Sequence, residues 1–416
     1  MLTKRTNVAA CCICLLMLVV LSCGRDKPTD SGGNTAPTAS FTITPAIGDM
    51  LTSFQFDASG SSDAQDPVSA LQVRWDWEND GTWDTQWSAT KTASHQYGTL
   101  GTKTIKLEVE DTGGLTDDTS RTVTVTQRLT PPEMVLVPAG TFTMGDGVAY
   151  CGVAKHQVTL NRSFYLGKYE VTNKEYRDAL QWAYDQNPKM VTVEGSAPGT
   201  KYVYAILDGH SSVLLATLFP SECEVYFGGD AFTVNPGKEN YPMVCVSWRG
   251  AAAYCDWLSM SQGLAPAYNH STWQCNSGDP YGASGYRLPT DAEWEYATQY
   301  GGERIYPWGN ESPNCSRANY RDCGLHLPIA VGSCPAGATS LGLHDMAGNV
   351  YEWCNDWHTC NLGTSSVVDP KGPSSGSYHV MRGGAYNFFN DDLRCAYRHF
   401  DTGTPGYGGF RCARSQ

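Results

Sequence analysis

The chain has 416 residues, with 42 Asp and Glu against 29 Lys and Arg, a formal net charge of -13 and a pI near 5.1. That balance, with no basic run, excludes nucleic acid and anionic headgroups as charge-driven partners, because both need clustered cations. The length predicts two or three domains, and the uneven distribution of the 16 cysteines bears on compartment.

Lys4 and Arg5 precede an apolar run from Val8 to Leu21, followed by Ser22 and Cys23. The run is too short to span a bilayer and ends in small residues, so residues 1–23 read as a secretory signal. Val20-Leu21-Ser22-Cys23 resembles the bacterial lipobox. That resemblance implies a lipidated Cys23, a membrane anchor and a place in the cell envelope, on the periplasmic or surface side of the outer membrane. Residues 24–35 are polar and rich in Pro, Gly, Ser and Thr, and read as a flexible tether.

Between residues 36 and 127, short period-two runs predict strands at Ser40–Ile43, Phe54–Phe56, Val73–Trp77, Thr104–Val109 and Thr122–Thr126. Gly, Asp, Ser and Pro turns separate them, the pattern of an antiparallel, all-β, Ig-like sandwich. The phrases FDASGSSDAQDP (Phe56 to Pro67), WDWENDGTWDT (Trp75 to Thr85) and HQYGTLGTKTIKLEVEDTGG (His95 to Gly114) are similar to a polycystic-kidney-disease (PKD) domain. Such modules serve as spacers or contact surfaces. Asp76, Glu78, Asp80 and Asp84 around Gly81 offer oxygen ligands for calcium. A tight Asp-Gly turn with solvated acids explains them without an ion and is preferred.

Residues 132–416 form the second domain. Val135–Val137 and Gly140–Met144 read as a hairpin. Apolar spacing predicts helices at Asn173–Trp182, capped by Thr172 or Asn173, at Ser247–Leu258, and at Asp291–Tyr300, opened by the Thr290/Glu293 capping box. The stretch from Asp185 to Asn240 reads as added hairpins, which commonly set specificity. Cys151 is the first and Cys412 the last of twelve cysteines after the signal. An even count without C-x-x-C pairs predicts disulfides in an oxidising compartment over a zinc site.

Seven phrases then recur in order: MVLVPAGTFTMG, YEVTNKEY, VSWRGAAAYCDWL, RLPTDAEWEYA, YPWGN, GLHDMAGNVYEW, and MRGGAY with GFRCARS. Together they resemble the formylglycine-generating enzyme, or sulfatase-modifying factor, family. The resemblance implies a disulfide-rich, C-type-lectin-like α+β fold. It implies structural calcium on the side chains of Asp345 and Glu352 and the carbonyls of Gly348 and Val350, with a second site near Asn319, Tyr320 and Asp322. It also implies a Cys255–Cys412 disulfide. Cys395 lacks its usual partner, because Thr298 stands there; it pairs with another thiol, such as Cys245, or stays free.

Copper-dependent members oxidise a sulfatase cysteine with two thiols placed just after their RGG phrase. Here Arg382, Gly383, Gly384, Ala385 and Tyr386 lead into a shorter segment without cysteine, so copper is not expected and Cys395 is the remaining thiol candidate for catalysis. Ala385 replaces the family serine, and Tyr351 a tryptophan. The first expectation is therefore a lipoprotein whose second domain binds a protein or glycan partner or serves in assembly. An oxidase using a relocated thiol and a calcium-dependent carbohydrate binder are the alternatives. Trp248, Trp308, Tyr351, Arg382, Tyr386 and Arg398 are the candidate ligand-binding residues.

Overall fold

The computed structural model describes residues 33–148, 153–186, 188–195, 199–207, 210–219, 221–404 and 406–416. The signal run, Cys23, most of the tether and Cys151 lie outside the described residues. The chain divides into two compact units.

The first is the expected β-sandwich. One sheet orders Thr42–Thr44, Phe54–Asp57 and Thr92–His95; the other orders Ile47–Asp49, Thr116–Thr126, Gly101–Glu110 and Gln72–Asp76. Alternation sends Phe54, Phe56, Val73, Trp75, Leu107 and Val109 inward. Trp75 meets Phe41 edge-on at 5.2 Å and stacks on Trp77 at 5.4 Å. Oxygens of Asp76, Glu78 and Asp84 come within 4.8 Å of one another. The Asp76 carboxylate already accepts the Asp80 and Gly81 amides at 3.2 and 2.9 Å, and Asp84 accepts the Trp77 amide at 2.8 Å. Asp76 and Asp84 thus hold the turn through backbone amides, but Asp76 is buried rather than solvated, and Glu78 adds a third oxygen to the cluster.

In the second unit the three helices form where local signals place them. Helix α1 (Asn173–Asp185) starts at Thr172, and α3 (Asp291–Thr298) at Thr290, each with both bonds of a capping box. Helix α2 (Trp248–Ser261) is capped by Ser247. Almost all of α2 is buried, so it is a core helix rather than a surface one. The added segment forms an antiparallel sheet of Val191–Glu194, Lys201–Leu207 and His210–Leu218, followed by the hairpin Val225–Gly228/Ala231–Val234.

The expected hairpin at residues 135–144 does not form. Met134–Val137 pairs with Phe164–Gly167, whereas Gly140–Met144 pairs with His156–Leu160 in another sheet. Pro138, between them, has no amide for a hairpin ladder, and the chain changes sheet there. A further sheet orders His399–Asp401, His379–Arg382, Tyr351–Trp357 and Gly408–Gly409. Buried ion pairs tie helix α3 and these strands together: Arg287 to Glu293, Arg382 to Asp291 and Glu295, Arg398 to Asp291, and Arg411 to Glu352.

Candidate functional site

Gly383 and Gly384, at φ 92° and 75°, turn the chain out of the strand His379–Arg382. The next residues carry rings and a carboxylate. Tyr351 donates its hydroxyl to Asp392 at 2.8 Å, stacks on His399 at 4.6 Å and meets Phe388 edge-on at 4.9 Å. Cys395 lies beyond, fully enclosed, its thiol pushed up first by burial and then by Glu295. A thiol held protonated and out of solvent is a poor nucleophile, and nothing in this geometry activates Cys395. The suggested Cys395–Cys245 pairing does not form either: both are free thiols, and a hydrogen bond with the Cys223 thiol, then burial, raises that of Cys245.

The six candidate ligand residues do not converge on one cavity. Arg382 is wholly enclosed, spent on Asp291, Glu295 and the Cys395 and Tyr397 carbonyls. Tyr351 is buried by the contacts above. Arg398 binds Asp291 at 2.8 Å and the Thr359 carbonyl at 2.6 Å. Trp308 stacks on Tyr306 at 5.2 Å and donates to the Glu311 carbonyl at 2.9 Å. Trp248 stacks on His379 at 3.9 Å, and Trp357 covers the same imidazole at 3.8 Å, so aromatic faces a sugar would use are taken. Tyr386 alone of the six lines the cavity described below.

The Gly342–Trp353 phrase does form a tight turn. Asp345, Gly348 and Asn349 adopt φ of 56°, 83° and 63°. The Gly348 amide donates to the Gly383 carbonyl at 2.8 Å, and the Asn349 amide to the Asn319 carbonyl at 2.8 Å. The Glu352 carboxylate, expected to face calcium, receives Arg411 through both oxygens at 2.6 Å and the Trp294 indole at 2.7 Å. It is committed to the core before any ion is considered. Asp345 accepts the Gly332 amide at 2.5 Å, and burial pushes its carboxyl up to about 6.

Glu170, which the sequence reading missed, completes the cluster by accepting from the Asn349 amide group at 2.8 Å and the Val350 backbone at 3.2 Å. Burial, then Asp345 and Glu352, hold its carboxyl well above the usual range. Three enclosed carboxylates thus face one guanidinium, that of Arg411, a donor set with negative charge in excess. The amide oxygen of buried Asn319 also has no partner. Tyr320 is buried beside it, whereas Asp322 is exposed on the turn closed by the Cys315–Cys323 disulfide, a bond the sequence reading did not single out. The Cys255 and Cys412 sulfurs face each other at 3.7 Å as buried thiols, adjacent as expected but unbonded. Cys360 is disulfide-bonded.

A cavity of about 110 Å³ opens beside Tyr386. The added segment supplies Glu222, Glu224 and Lys238; helix α1 supplies Asn173; Tyr407 and Cys245 close other walls. The sequence reading found Tyr386 from the RGG phrase and the added segment from its composition, but carried no signal that they meet.

A model of the PKD domain matches residues 34–126, and one of the sulfatase-modifying factor enzyme 1-like domain matches residues 119–416. Over 291 residues the chain is 31% identical to the serine/threonine-protein kinase Pkn1 of Chlamydia trachomatis serovar L2, across 68% of this chain and 38% of that protein. The chain therefore spans well under half the length of that relative. It is 28% identical over 311 residues to the formylglycine-generating enzyme of Mus musculus, across 68% of this chain and 74% of that one. Among solved structures it resembles Treponema denticola variable protein 1, at 21% identity and a TM-score of 0.49, over 76% of this chain and 100% of that one. With the model match spanning residues 119–416, the chain belongs to the sulfatase-modifying factor enzyme 1-like (formylglycine-generating enzyme) family, its family domain preceded by a PKD domain.

Proposed function

We propose that the family domain of this chain is a binding module, not a copper oxidase, carried on an envelope lipoprotein anchored through Cys23 and spaced from the membrane by the PKD domain. The observation that carries this reading is the segment after Gly384: it carries Tyr386, which lines a small cavity, and Phe388 and Asp392, which pack on Tyr351, where the copper enzymes present thiols. Cu(I) requires soft ligands, and that segment supplies rings and hard oxygen. The residues present therefore do not fit copper at the family position.

Calcium fits better. Asp345, the Gly348 and Val350 carbonyls and the unpartnered Asn319 oxygen offer hard donors in a region of excess negative charge, where the ion would hold the turn in place. Glu352 keeps its bond to Arg411 in this reading.

The test is an anaerobic Cu(I) titration of the mature protein, with a thiol count, beside incubation with a cysteine-containing sulfatase peptide. Expected are no tight copper equivalent and an unmodified peptide. One copper bound by two thiolates, or an aldehyde on the peptide, would restore the oxidase reading.

A further inference from the structure

We propose that the cavity beside Tyr386 is a socket for a single lysine side chain presented by a partner protein. This rests on the binding-module reading above and names what that module grips.

At about 110 Å³ the cavity is well below the roughly 300–1,000 Å³ of sites that enclose whole small molecules, so it admits one side chain. Its lining is divided by chemistry. Pro242, Val244, Leu327 and Pro328 form apolar walls suited to an aliphatic stem. Tyr386 and Tyr407 stand with ring centroids 6.5 Å apart at 78°, a face and an edge that a cation can approach. The cavity already tolerates an ammonium at its margin, since the Lys238 nitrogen sits 3.9 Å over the Tyr241 ring.

The polar groups ask for a donor. Asn173 is 1% exposed, and its amide nitrogen donates to the Lys238 carbonyl at 3.0 Å, which orients the side chain and leaves its oxygen as an acceptor with no partner. Glu224 is answered by Asn235 at 2.7 Å and by Lys238 at 3.6 Å. Glu222 has no ion-pair partner among the described residues, so the lining carries one negative charge in excess. A buried acceptor without a donor and a carboxylate without a cation are both satisfied by one ammonium.

Lysine fits better than arginine. A guanidinium would spend its two parallel bonds on Glu222 alone, an exposed carboxylate, since Glu224 is already occupied, and would leave the Asn173 oxygen unanswered. The remaining acceptors, Asn173 and Glu222, come from separate elements, which suits the compact, rotatable donors of an ammonium.

The experiment titrates the mature full chain with N-acetyl-lysine N-methylamide, its norleucine counterpart and its arginine counterpart, followed by saturation-transfer NMR. The lysine probe is expected to saturate and the norleucine probe to show no binding, with the arginine probe several-fold weaker. Glu222→Gln, at an exposed position that spares the fold, should weaken the lysine probe about tenfold. Tyr407→Ala, also exposed, should weaken it about fivefold. Equal binding of lysine and norleucine, arginine binding as tight as lysine, or an unchanged Kd in Glu222→Gln would each overturn the proposal. Copper-dependent oxidation of the sulfatase peptide would refute the binding-module reading while leaving the lysine titration to stand or fall by itself.

Discussion

Replacing Arg382 distinguishes a structural guanidinium from a ligand-binding one. Its donors reach Asp291 at 2.6 Å, Glu295 at 2.8 Å and the Cys395 and Tyr397 carbonyls at 3.0 and 3.1 Å, with no exposed surface. In Arg382→Met, Asp291 keeps Arg398, but Glu295 keeps only the Gly145 amide and Gln299. An enclosed carboxylate without its cation costs about 3–5 kcal/mol. The Cys395 and Tyr397 carbonyls each lose a donor as well, so a total near the upper end, about 5 kcal/mol, is expected, a large share of a domain's stability.

The deficit should depend on pH. Burial raises the Glu295 carboxyl, and Arg382 opposes that rise. Without Arg382 the folded pKa climbs further above its unfolded value, so the ionised form costs stability at neutral pH and the cost fades as pH falls toward about 4. Urea unfolding followed by the fluorescence of buried Trp294, at pH 7 and pH 5, should show a smaller gap from wild type at pH 5. Arg382→Met/Glu295→Gln should recover part of the loss. A variant within about 1 kcal/mol of wild type that loses ligand binding instead would refute the reasoning and return Arg382 to a binding surface.

Thr290→Ala removes the oxygen that accepts the Glu293 amide at 3.1 Å; a fall of about 1–2 kcal/mol in unfolding free energy is expected by urea titration. In Gly348→Ala the new Cβ would sit 2.4 Å from the Asn319 carbonyl oxygen at φ 83°, so a loss of about 3 kcal/mol or more is expected. Gly342→Ala, at φ 81° with open space around it, should cost only about 1–2 kcal/mol, and equal losses would show that crowding is not the cause. Calcium at a hundred times its Kd should add about 2.7 kcal/mol to the family domain, and Asp345→Asn should abolish that response in a calorimetric scan. The eight cysteines that are free among the described residues are all buried, so maleimide should label them in unfolded protein and leave them unlabelled over the same interval in native protein.

What was legible in the sequence was local. A capping box is local, so Thr172 with Glu175 and Thr290 with Glu293 announce their helices whatever the rest of the chain does. Period-two alternation likewise carries the sandwich strands. What was not legible is whether a polar group already has its partner. Arg382 finds Asp291 across 91 residues and Glu352 finds Arg411 across 59, separations at which residue type says nothing of pairing. Both look functional when read alone and prove to be core ties. The error also runs the other way: Asn173 reads as an alternative N-cap, yet only the fold shows that its amide oxygen has no partner and that the residue lines a cavity with Glu222 and Glu224. Where the recognisable phrases hold the core together, the strongest pointer to a ligand is therefore an unsatisfied polar atom beside a cavity whose walls come from separate elements.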